Sequence, residues 1–87
     1  MRLDLFLKAS RICPRRTVAQ ELCDKGLVLV NGVKGKSSHT VKVGDEVTVR
    51  RRDKQTVIKV TSLPDTRQVS KKEAGALYEL LSEDTLE

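Results

Sequence analysis

The apolar residues of this chain change their spacing at Gly26, and that change constrains the fold more than any other feature. Before it, Leu3, Phe6 and Leu7 recur at i, i+3 and i+4, the spacing that stacks side chains on one helical face. Val18, Ala19, Leu22 and Cys23 repeat the pattern. After it, Leu27 to Val30 is a short β run that ends at Asn31-Gly32, the dipeptide best suited to the positive φ angles of a two-residue hairpin turn. Val47 and Val49 then alternate with polar residues. The pattern predicts an α+β fold: two short N-terminal helices packed on a small, mostly antiparallel sheet.

Local signals set the expected boundaries. Leu3 to Ala9 reads as the first helix, with Asp4 in the first turn, where a carboxylate suits the positive end of the helix dipole. Pro14 fits the first turn of the second helix because its missing N–H needs no partner there. Gly26 ends that helix, since glycine takes the left-handed cap without penalty. Gly35 to Thr40 is too polar for a regular strand and reads as an exposed loop. Val41 and Val43 alternate ahead of a turn at Gly44-Asp45. Arg51 to Gln55 reads as a hairpin, and Thr56 to Leu63 as another strand. Pro64-Asp65-Thr66 interrupts the sheet. Ser70-Lys71-Lys72-Glu73 has the spacing of a capping box. A closing helix is therefore expected from Lys71 to about Ser82, with Ala74, Leu77, Tyr78 and Leu81 on one face.

Charge bears on function. The 87 residues carry a formal net charge of +5, unevenly spread. Met1 to Arg52 holds 12 Lys or Arg against 5 Asp or Glu, whereas the remainder holds 5 against 7. A basic body with a mildly acidic end points to a polyanion-binding surface on the first part. Phe6 and Tyr78 are the only aromatics, too few for the stacking platforms that read unpaired bases. An RNA ligand would have to be held through its shape and its phosphates. No run of about 18 apolar residues is present to span a membrane, and Asp4 follows the N-terminus too closely for a secretory leader. A cytoplasmic protein with no membrane contact is expected. Cys13 and Cys23 lack the paired spacing of a zinc site and read as small helix-packing residues.

Five basic residues fall in the helical pair: Arg2, Lys8, Arg11, Arg15 and Arg16. Arg15 and Arg16 sit where the second helix begins. A cation is locally unfavourable there, but a bound phosphate reverses the sign, because exposed N–H groups and guanidinium forks then act on one anion. A second basic group, Lys34, Lys36 and Lys42, flanks the polar loop. Arg50-Arg51-Arg52 close a strand, either to extend a binding footprint or to guard a sheet edge. His39 is the only histidine and reads as a solvated loop residue. No Ser-His-Asp or Cys-His arrangement and no glycine-rich phosphate loop is evident, so an enzyme is not expected, nor a cofactor or metal.

Four separated pieces carry a resemblance. They are Arg2-Leu3-Asp4-x-Phe6-Leu7, Arg16-x-x-Ala19-x-x-Leu22, Gly26-x-Val28-x-Val30-Asn31-Gly32, and Val41-x-Val43-Gly44-Asp45-x-Val47. In this order and spacing they resemble the S-four RNA-binding domain, or alpha-L motif, over about Met1 to Arg50. The resemblance implies two short helices on a small sheet, with RNA bound by the helical face. Residues 1–62 would form that unit, and 63–87 a connection and helix packed on or beside it, in a single domain overall. Most members carry the domain beside an enzyme, for which this chain leaves no residues. It is more similar to the small ribosome quality control members. That likeness implies binding to obstructed large ribosomal subunits and contact with large-subunit ribosomal RNA and the peptidyl-site transfer RNA. It also implies cooperation with an RqcH-like tailing factor that adds C-terminal alanine. Carried over by motif position, Arg2 and Arg16 are the principal RNA contacts, with Arg15, Arg11, Lys8, Lys34 and Lys36 around them. A monomer is expected.

Three alternatives stay open at this level. The related fifteen-kilodalton heat-shock members bind and recycle large subunits, although they carry a longer basic tail where this chain ends in Glu83, Asp84 and Glu87. Two short helices followed by a hairpin also fit a DNA-binding winged-helix-like module. The final helix could instead serve a protein partner.

Overall fold

The computed structural model describes residues 1–64 and 74–85. Helix α1 spans Leu3–Ala9 and α2 spans Arg16–Asp24. The strands are β1 (Val28–Val30), β2 (Val33–Lys34), β3 (Glu46–Arg51), β4 (Lys54–Val60) and β5 (Tyr78–Thr85). They form one antiparallel sheet in the order β2-β1-β3-β4-β5. The α+β arrangement of two helices on an antiparallel sheet follows the sequence pattern.

Alternation decides which sheet face is buried. Val28 and Val30, Val47 and Val49, and Ile58 and Val60 point to one side and are buried. Leu3, Phe6 and Leu7 of α1 and Ala19 and Cys23 of α2 cover them. Cys13 joins the core from the connection between the helices. Each large apolar side chain removed from water in this way contributes about 1.5–3 kcal/mol.

The turns are specific. Asn31 and Gly32 have φ of 52° and 84°, the pair of positive angles that a type I′ hairpin needs. The Asn31 amide also reaches the next turn: its Nδ2 donates to Asp45 Oδ1 and its Oδ1 accepts the Glu46 N–H. Helix α2 ends with the Leu27 N–H on the Leu22 carbonyl and the Gly26 N–H on the Cys23 carbonyl, with Gly26 at φ 72°. This is the double bond pattern of a Schellman cap.

The start of α1 is less usual. Its N-cap residue, Arg2, makes no side-chain cap. Instead the Leu3 N–H donates to the His39 carbonyl at 2.7 Å and the Asp4 N–H to the Ser37 carbonyl at 3.1 Å. The polar loop expected merely to be exposed thus supplies partners for helix donors that would otherwise be orphaned. Gly35 is buried at its base.

Four expectations need correction. The second helix begins at Arg16 rather than near Pro14. The connection first seats buried Cys13, whose N–H goes to the Leu7 carbonyl, and Arg15 stays extended. Val41 and Val43 do not form a strand. Val41 gives its N–H to the Met1 carbonyl and is buried, while Val43 is 60% exposed. The β3–β4 hairpin is tighter than expected, with Arg51 paired to Lys54 and β4 ending at Val60.

The closing helix expected over Lys71–Ser82 is overturned from Tyr78 onward, because Tyr78–Thr85 is strand β5, although Ala74 and Gly75 are helical. Tyr78 and Leu80 also fit a two-residue period. The open edge of β4 offers backbone partners that decide between the two periods, as tertiary context overrides local preference. A bulge opposite Val57/Ile58 breaks the alternation and takes up Leu81. The Ser70–Glu73 capping box lies outside the described residues.

Candidate nucleic-acid interface

The site is built around a side chain that sequence reading treated as a helix-dipole partner. Asp4 is completely buried. Arg2 reaches it with two nitrogens, Nε to Oδ1 at 3.2 Å and Nη2 to Oδ2 at 3.3 Å. Arg16 reaches it with one, Nε to Oδ2 at 3.1 Å. Gln20 Nε2 donates to Oδ2 at 3.0 Å, and the Leu5 N–H to Oδ1 at 2.8 Å. Helix α1 holds the carboxylate, the first and second turns of α2 hold Arg16 and Gln20, and the extended residue before α1 holds Arg2.

Electrostatics follow from this count. Burial by itself would raise the Asp4 carboxyl. Hydrogen bonds from Gln20, Arg16 and the Leu5 N–H, together with the Arg16 charge, more than offset that and hold it below its ordinary value. It is therefore ionised at neutral pH. Two guanidinium groups share one carboxylate, so the cluster keeps a net positive charge. The arginines are not consumed by the pairing: their side chains remain 44% and 38% exposed. Arg16 spends only Nε on Asp4, which leaves its terminal fork without a hydrogen bond among the described residues. Such a fork matches a phosphate in two-point contact.

The structure thus brings Arg2 and Arg16 together on one side of the helical pair. Lys36 is exposed on the loop that caps α1, immediately before Ser37, and Thr40 bridges Arg2. Lys8 lies exposed in the last turn of α1, where a cation suits the dipole. Arg11 is exposed at φ 61° in the connection, and Arg15 is exposed at the cap of α2. Lys34 is not part of this cluster. Its stem lies against Gly26, at the opposite end of α2 from Arg16.

The triple arginine does not guard an edge, because β3 is an interior strand. Arg50 donates through Nε to Gln55 Oε1 at 2.9 Å. Arg51 donates through Nη2 to the Ile12 carbonyl and so ties the helix connection to the sheet. Arg52 is exposed in the hairpin turn. His39 contributes its carbonyl to the cap of α1.

Sequence reasoning missed Asp4 and Gln20 as members of the site. The available signal was a pair of arginines flanking an acid on a helix that otherwise faces the core. Among the described residues no helix is long and apolar enough to cross a membrane.

Comparison with known proteins identifies the family and the fold. Residues 1–47 match the S4 domain model. An RQC P-site tRNA stabilizing factor of Streptococcus pneumoniae is 46% identical over 87 residues, covering 100% of this chain and 97% of the relative. One of Bacillus subtilis is 46% identical over 86 residues, covering 99% and 98%. Among solved structures, trimeric heat shock protein 15 of Vibrio cholerae superposes with a TM-score of 0.85 at 30% identity, covering 94% of this chain and 82% of that one. The winged-helix-like alternative gains no support from these matches. The chain belongs to the S4 domain family, in the branch whose members bear the name RQC P-site tRNA stabilizing factor.

Proposed function

We propose that this chain is a non-catalytic RNA-binding factor that binds obstructed large ribosomal subunits. There it stabilises the peptidyl-site transfer RNA during template-free C-terminal alanine tailing. Full-length similarity to relatives named for stabilising that transfer RNA supports the assignment. The observation that carries the mechanism is the shared carboxylate: Arg2 and Arg16 both bind Asp4 and still present half-exposed guanidinium groups.

In this reading Arg2 and Arg16 grip phosphates where two RNA elements meet. Lys8, Arg11, Arg15 and Lys36 widen the positive field, and Lys34 adds a more distant contact. Arg50 to Arg52 shape the sheet rather than lead the binding. Binding energy does the work, and no cofactor or metal enters. The factor acts in the cytoplasm as a monomer, beside an RqcH-like enzyme that delivers the alanine.

Co-sedimentation with large subunits carrying peptidyl-transfer RNA tests the proposal. The parent chain is expected to bind, with a log–log salt slope of roughly −0.7 to −0.9 per phosphate neutralised. Arg16→Ala is expected to lose most of that binding. Salt-insensitive binding, or an Arg16→Ala chain that binds as the parent does, overturns it.

A further inference from the structure

Asp4 and Ser10 are the only polar residues buried among those described, and only Asp4 is charged. Taking a carboxylate out of water is costly unless pairing offsets it. The helix dipole does not account for that cost, because an exposed acid in the same turn would gain as much from it. The pairing is also selective. Among the described residues, the five hydrogen bonds donated to Asp4 come from Arg2, Arg16, Gln20 and the Leu5 N–H. None comes from the other arginines of the helical pair.

Two guanidinium groups converging at the start of two helices would repel each other and face an unfavourable dipole. Each also carries rotamer entropy that binding would have to overcome. A buried anion between them removes the repulsion and fixes both side chains before any ligand arrives. Gln20 fixes the anion in turn.

We infer that Asp4 is a positioning residue for the RNA backbone, a buried negative charge that holds Arg2 and Arg16 as one preset pair of phosphate-facing guanidinium groups. This rests on the RNA-binding reading above. It assigns unequal shares to the two arginines. Arg2 spends Nε and Nη2 on the carboxylate, whereas Arg16 spends Nε alone. Arg16 is the more available fork.

The sign of one substitution tests the inference. Asp4→Asn removes a negative charge from a polyanion-binding chain. Coulomb attraction alone therefore predicts tighter binding to large subunits carrying peptidyl-transfer RNA. Positioning predicts the reverse, a loss of about tenfold or more. In an Arg2→Ala/Arg16→Ala background, Asp4→Asn should then change affinity by less than about twofold, because no pair remains to position.

Circular dichroism melts select a temperature at which each variant is folded. If Asp4→Asn does not fold, Gln20→Ala decides, since it leaves every charge in place: a severalfold loss supports the inference and parental affinity overturns it. A folded Asp4→Asn chain that binds as well as the parent or better overturns it too. So does an equal effect of Asp4→Asn in both backgrounds. If Arg16→Ala itself binds like the parent, the RNA-binding reading fails first and takes the inference with it.

Discussion

Arg16 and Asp4 lie 12 positions apart in sequence and meet through a 3.1 Å contact between Nε and Oδ2. That contact joins the first turns of the two helices. It also ties a half-exposed cation to a group with no solvent exposure, so the same pair serves stability and surface charge.

Stability should therefore depend on acid. Burial pushes the Asp4 carboxyl up, but its hydrogen bonds from Gln20, Arg16 and Leu5 and the Arg16 charge bring it below 3.8, the value for an unperturbed side chain. The unfolded chain then binds the proton first as pH falls. The contribution is complete above the unfolded value and is lost as pH drops through the lower folded one. Melting curves from neutral to strongly acidic pH are expected to show this loss in the parent. The same series on Asp4→Asn should have a shallower acid limb; an identical limb would mean that Asp4 is not the group responsible.

Arg16→Lys separates charge from shape. Lysine keeps the positive charge but offers one compact ammonium, which cannot hold Asp4 and present an outward fork together. Subunit affinity is expected to fall between those of the parent and Arg16→Ala. Stability should drop by about 1 kcal/mol in Arg16→Ala, because Arg2 and Gln20 still satisfy the buried carboxylate. Denaturant unfolding measures that loss.

Much of this architecture was legible before any coordinates. The helix period of Leu3, Phe6 and Leu7, the cap at Gly26 and the Asn31-Gly32 turn are local features, and each acts within a few residues. Arg2 and Arg16 were reached through motif positions. What could not be read depends on distant partners. Asp4 fits a first-turn acid equally well whether it faces water or two arginines. Tyr78 to Ser82 fits two periods, and only the edge of β4 chooses between them. Lys34 and Lys36 flank buried Gly35, yet Lys34 lies against Gly26 just past α2 whereas Lys36 sits on the loop that caps α1.

Gly35 should not tolerate a methyl group. A Cβ there would lie 2.9 Å from Leu3 Cδ2 and 3.0 Å from Val30 Cγ2. Gly35→Ala is expected to destabilise the fold by about 1–3 kcal/mol, the usual range for overpacking. Urea denaturation should show an earlier midpoint with an unchanged slope.

Arg51→Ala removes the tether between β3 and the Ile12 carbonyl. The expected stability loss is about 1 kcal/mol, below the usual range for a bond to a charged group because the side chain is solvent-exposed. Subunit affinity is expected to change less than in Arg16→Ala. A larger affinity loss in Arg51→Ala would move the binding surface toward the hairpin.

Both cysteines should be slow to react. Burial pushes the Cys23 thiol up to about 11, with the Asp4 charge adding to the effect. Burial raises Cys13 as well, and the Arg51 charge opposes it only in part. Thiolate is the reactive form, so a thiol reagent at pH 8 is expected to label the native chain slowly. Denaturant should release both thiols at once; fast labelling of native protein would place either cysteine outside the core.

The carbonyls of Ser37 and His39 that receive the first N–H groups of α1 have a consequence for how the protein is made. The helix bearing Asp4 cannot be finished until the chain has been extended past His39 and folded back onto its own beginning. A segment that stops short of that point holds Arg2, Asp4 and Arg16 but lacks the carbonyls that cap the helix between them. Completion of the arginine-bearing helix therefore depends on the segment through His39 as well as on the helical pair itself.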